Sequence, residues 1–178
     1  MKHKIKKKYY LYFLLALFAL PLIIFFYKEI KATLFVTAFI VGNIIVSAYK
    51  RDFQFPIEIE ILTVGIVLCT LKYGLKAGIL IAVFGTILSS AFYGYYSPFM
   101  IPMIIGNIIG AAIPFAMPLQ NIFLLGLVVS IVKNAFVFVF YHFVFNYDIT
   151  KNLAYGTSNL FVNMILFLNI APFIYAFM

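Results

Sequence analysis

The stretch Gly74 to Ser89, GLKAGILIAVFGTILS, decides how this chain folds. Gly74, Gly78, Ala82, Gly85 and Ser89 recur four, four, three and four residues apart. At about 3.6 residues per turn they fall on one helical face. Most of the positions between them are Leu, Ile, Val and Phe. A helix in water turns its large residues inward. Here the large residues face outward and the small ones align, the pattern of a helix in lipid that approaches a neighbour closely.

Composition extends the argument to the whole chain. Of 178 residues, 66% are hydrophobic and 10% charged, against roughly 45–50% apolar and about 25% charged in soluble domains. Uncharged runs of about 20 residues, the length that a bilayer core requires, divide the chain into seven expected spans: 9–27, 32–49, 53–71, 75–93, 99–117, 120–142 and 153–176. The 53–71 run carries Glu58 and Glu60 near its start, and the 99–117 run carries Pro102 and Pro114. Either could be short, tilted or broken, so six spans are the other count. The expected fold is all-α: a polytopic membrane protein with a single up-and-down bundle over residues 9–178, because short connections join antiparallel neighbours. Gly74 occupies the position of a left-handed helix end, with Lys72 in the preceding turn. This makes 53–93 a tight helical hairpin.

The net charge of +8 would suggest nucleic acid in a soluble protein. Its distribution argues otherwise. Lys2, Lys4, Lys6, Lys7 and Lys8 precede the first span as a basic tail, residues 1–8, of the kind that marks a cytoplasmic end and contacts anionic lipid. The expected setting is a prokaryotic cytoplasmic membrane, with the bilayer as partner and no nucleic acid. The first run is too long and too aromatic for a secretory signal and is read as a retained helix. Cys69 is the only cysteine, which excludes an internal disulfide and a cysteine-based metal cluster.

Small-residue pairs recur at Ala38 and Gly42, at Gly106 and Gly110, and at Gly126 and Ser130. Together with Gly78, Ala82, Gly85 and Ser89 they are the expected helix-packing positions.

Polar residues inside spans are the pointers to function, since an ionisable or amide side chain in lipid needs a partner. Lys133 lies mid-span with Asn134 beside it, and Asn107 is near the centre of its span, as Asn43 is of the second. Asn152, Gly156, Asn159 and Asn163 share one face of the last. Two readings follow. The amides join helices, at roughly 0.6 kcal/mol each on average, or they surround a midplane cavity for a polar solute. In the second reading Glu60, Asn107, Lys133, Asn134, Asn159 and Asn163 line the site. Lys133 needs an acceptor in either case. Glu60, placed about two turns into its helix on the side of His142, is the first candidate, because the lysine stem is long and flexible. Glu58 and Glu60 are two apart and cannot share a helical face. Tyr93, Tyr95 and Tyr96 form an aromatic turn with Gly94 and Pro98. They belong to an interfacial belt or serve as a lid over the bundle mouth.

No zinc-binding, nucleophile-elbow or P-loop pattern occurs. The expectation is therefore no catalytic residue, no metal and no cofactor.

The run from Phe53, FQFPIEIEILTVGIVLCTLKYGLKAGILIAVFGTILSSAFYGYYSP, resembles the second and third helices of the substrate-binding S components of energy-coupling-factor transporters. The ending TSNLFVNMILFLNIAPF resembles that fold's last helices. The resemblance covers most of 32–178. A family of small cell-shape membrane proteins is similar in architecture. The first resemblance implies a vitamin- or cofactor-precursor-binding subunit that works with a separate transmembrane coupling protein and two ATPases. Ala38 and Gly42 would take the place of its coupling surface. The alternative is a non-transporting scaffold that binds other membrane proteins through its small-residue faces. S components place the loops at 50–56, 94–98 and 143–152 outside, which under seven-span alternation carries the lysine tail outside as well. The positive-inside rule opposes that. A six-span chain removes the conflict.

Overall fold

The computed structural model describes residues 26–53, 59–93 and 97–178. They form helices and short connections, with no strand among the described residues. Helix α1 is Tyr27–Phe53 and α2 is Leu62–Tyr73. Helix α3, Leu75–Leu80, runs through a π-helical turn, Ile81–Gly85, into α4, Thr86–Tyr93. Then come α5, Met100–Ala116, α6, Ile122–Phe145, α7, Ile149–Asn169, and α8, Ala171–Phe177. The expected span 9–27 and the lysine tail lie outside the described residues, apart from the last two positions of that span.

Several boundaries differ from expectation for identifiable reasons. Lys28 to Lys31 is not a connection but the first turn of α1, where Glu29 meets the positive end of the helix. Among the described residues, the helix that follows the start of the 53–71 segment is the 12-residue α2, Leu62–Tyr73. Glu60 therefore sits just before a helix, not two turns inside one. The last segment bends by 48° between α7 and α8. Pro172, at the start of α8, lacks the N–H that would continue the ladder. By length and composition, three helical stretches among the described residues can cross a membrane: Tyr27–Tyr49, Leu75–Phe92 and Ile122–Phe145. A fourth joins them if the bent pair is one span. Leu62–Tyr73 and Met100–Ala116 are shorter apolar helices.

The helices alternate in direction. Phe99, at the start of α5, packs on Tyr141, Phe145 and Tyr147 at the end of α6, and Tyr141 donates its hydroxyl to the Phe99 carbonyl at 2.9 Å. At the opposite end, Tyr73 of α2 donates to the Met178 carbonyl at 3.2 Å, and the Lys72 ammonium lies 4.9 Å from the Tyr175 ring. Local caps fix the turns. Asn121 and Asp148 accept from the backbone N–H of Leu124 and Lys151, and Asn146 ends α6 in the left-handed region.

Helix α2 lies at the centre. Leu62 to Thr70 are buried without a break, and α2 packs against α1, α3, α5, α6, α7 and α8. Small residues permit this. The Phe39 ring of α1 lies against Gly65, Leu62 against Gly85, and Thr70 against Gly78. Gly74 links α2 to α3 as a single residue at φ +93°, a conformation that a side chain would oppose. The stripe does not stay on one regular helical face. The π-helical turn inserts an offset at Ile81–Gly85, so that Gly78 meets α2 and α5 while Ser89 meets α1. Between α5 and α6, Gly106 lies against Val137 and Gly110 against Val129. Between α6 and α7, Gly126 carries the Phe167 ring.

Among the described residues, Ala38 and Gly42 do not pack against another helix. Ala38 is exposed, and a β-carbon at Gly42 would meet nothing within 4 Å. Helix α1 uses its Phe39 and Asn43 face for internal packing instead. Large apolar residues cover the outside, Phe143, Phe173, Phe92 and Phe161 among them, while polar side chains collect within. That is the arrangement of a bundle surrounded by lipid.

Packing at Gly126 and open space at Gly42 give opposite expectations. Gly126→Val forces the Phe167 ring to move and costs about 1–3 kcal/mol by overpacking, whereas Gly42→Ala leaves stability unchanged or slightly raised. Thermal unfolding of the purified chain in detergent measures both.

Candidate functional site

The site is built around Lys133, which projects from the buried face of α6 that also carries Gly126, Val129, Ser130, Val137 and Tyr141. Gly106 of α5 lies beside its stem, where a β-carbon would stand 3.4 Å from the lysine Cγ. The ammonium donates to Glu60 Oε2 at 2.6 Å and to Thr63 Oγ1 at 2.7 Å. Both charged residues are buried, Lys133 at 4% exposure and Glu60 at 7%. Glu60 stands two residues before α2 begins. A charge pair this short compensates itself locally, although taking both ions from water costs several kcal/mol per ion.

Amides extend the pair across α6 and α7. Asn159 donates Nδ2 to Glu60 Oε2 at 3.1 Å. Its Oδ1 accepts from Asn134 at 3.1 Å and from Asn163 at 2.9 Å, and Asn134 also donates to the Gly156 carbonyl at 3.3 Å. Asn159 and Asn163 thus stand behind the pair on one face of α7.

Separate polar contacts join other helix pairs and the α6–α7 seam. Asn107 of α5 donates Nδ2 to Thr86 Oγ1 at 3.0 Å, and Thr86 donates to the Ala82 carbonyl at 2.7 Å. Asn43 of α1 donates to Ser89 Oγ at 2.7 Å, and Asn152 to the Phe138 carbonyl at 3.0 Å.

The six residues expected to surround a cavity are therefore grouped unevenly. Asn107, Lys133 and Asn134 line one internal void with Met103, Val137 and Tyr155. It is nowhere wide enough for a water molecule. Glu60, Asn159 and Asn163 do not line it and join it only through hydrogen bonds. Several buried acceptors stay without a donor: Asn107 Oδ1, Asn134 Oδ1 and Asn163 Oδ1, and, apart from these, Thr70 Oγ1.

Tyr95 and Tyr96 lie outside the described residues, as does Glu58, and only the backbone of Tyr93 is described, at the end of α4. Sequence reasoning missed Thr63, Thr86, Met103 and Tyr155. Two of these had a signal in their spacing. Thr63 lies three residues after Glu60, and Tyr155 lies four before Asn159 on the same helical face. Among the described residues no cluster of His, Cys, Asp and Glu could hold a metal ion.

No family model matches the chain, and no curated protein or solved structure is significantly similar to it.

The pair can be tested by a double-mutant cycle. Glu60→Gln or Lys133→Met alone strands a buried partner and costs about 3–5 kcal/mol. The double variant costs less than the sum of the two. Unfolding of the three variants in detergent, set against the parent chain, gives the coupling energy.

Proposed function

We propose that the chain is a membrane-embedded solute-binding subunit of a transporter, similar to an S component, with six or seven spans in a cytoplasmic membrane. The carrying observation is the buried network from Glu60 through Lys133, Asn159 and Asn134, with donor-less amide oxygens at an internal void. Packing alone gives little reason for such a set. Small-residue faces already bring these helices together, and replacing a buried ion pair with apolar residues is often neutral or stabilising. Polar groups held inside a lipid-facing bundle are the usual equipment for recognising a polar solute.

Energy for transport would come from elsewhere, since the sequence carries no P-loop. The outward position of Ala38 and Gly42 supports docking of a coupling protein there, with two ATPases behind it. The same face supports a second reading, a scaffold that binds other membrane proteins. The narrowness of the void favours that reading, because in this state the network is closed on itself.

Native mass spectrometry of the chain purified from its own membranes separates the two. The transport reading expects a bound non-lipid small molecule, lost in Asn107→Leu, and co-purification with ATPase and coupling subunits. Envelope proteins alone, without a solute, would establish the scaffold. Labelling of single cysteines at Tyr96 and in the lysine tail, in a background lacking Cys69, reads the span count. Labels from one side mean an even number of crossings between them, as in the seven-span chain.

A further inference from the structure

We propose that the void between α5, α6 and α7 is a recognition pocket for a neutral solute bearing N–H donors, such as a primary amide or an amino-substituted ring, and that this structure holds it closed. The proposal rests on the solute-binding reading and names the class of solute.

Hydrogen-bond logic fixes the polarity of the pocket. The Glu60 carboxylate only accepts, so Asn159 must turn its Nδ2 toward it. The Asn159 oxygen is then left to accept from Asn134 and Asn163. Asn134 is committed through its own Nδ2, to Asn159 and to the Gly156 carbonyl, which leaves its oxygen without a donor. On the other wall, the Thr86 hydroxyl hydrogen is spent on the Ala82 carbonyl, so Thr86 can only accept from Asn107. Flipping Asn107 would set oxygen against oxygen. Its Oδ1 therefore also stays without a donor, on a residue 99% buried by its 1% exposure. Two amide residues that line one void from different helices thus each keep an oxygen with no donor.

The remaining walls set charge and shape. Lys133 is already neutralised by Glu60, so an ion entering the void would bring uncompensated charge into a dry interior. Met103, Val137 and Tyr155 supply an apolar and aromatic lining. Methionine is the adaptable wall, since its unbranched stem changes rotamer readily.

Benzamide and methyl benzoate test this, being similar in size and both neutral, with N–H donors on benzamide alone. Binding to the full chain in lipid nanodiscs is followed by saturation-transfer NMR and by the shift in unfolding temperature. Benzamide is expected to bind at least about tenfold more tightly than methyl benzoate, as two gained hydrogen bonds imply. Asn107→Leu should weaken benzamide about five- to tenfold and leave methyl benzoate unchanged. Met103→Ala, which widens the void and touches neither network, should strengthen both probes. Its behaviour keeps the test open even where Asn107→Leu fails to fold. Equal binding of the two probes overturns the donor-bearing class while leaving a solute pocket in place. Absence of binding in the parent and in Met103→Ala overturns this pocket. The solute-binding reading itself falls only if no solute co-purifies either.

Discussion

A carboxylate that can only accept hydrogen bonds sets the interior of this bundle. Glu60 takes one donor from Lys133 and another from Asn159, and the amides of Asn159, Asn134 and Asn163 are oriented by that choice. The result is a directional network. Donors point toward Glu60, and acceptors are turned away from it, at Asn134 and Asn163. In an apolar interior such an assignment is stiff, because reversing one amide strands several groups at once.

Reaching that geometry requires a short central helix. Helix α2 is buried over nine consecutive residues, and its start must stand beside the middle of α6 to bring Glu60 and Thr63 to Lys133. Close approach comes from residues without bulk: Gly65 under Phe39, Gly85 under Leu62, Gly78 under Thr70. The G-x-x-x-G of α5 has a further role. Gly106 lies against both Val137 and the lysine stem, so a packing motif borders the polar site.

The site is consequently closed and dry. Its charges cancel, and the void beside Lys133 is too narrow for water. A bundle built only for rigidity has no need of buried acceptors without donors, each of which costs about 1–3 kcal/mol. Ala38 and Gly42 lie on α1, apart from the residues of the ion pair and its amides.

Composition and period alone determined that the chain is helical and apolar enough to cross a membrane, because both are local properties of covalent sequence. They also marked Lys133 as needing an acceptor, and Glu60 as that acceptor, since a lone ammonium in an apolar bundle has few partners to choose from. Residue spacing further brought Asn159 and Asn163 onto one face. Tertiary structure decided the rest. That Glu60 precedes α2, that Ala38 and Gly42 face outward, and that the stripe from Gly74 to Ser89 is offset by a π-helical turn all depend on which neighbour each helix meets. The direction of each amide was equally illegible in the sequence. An asparagine offers a donor and an acceptor at once, and only its neighbours in space determine which is used.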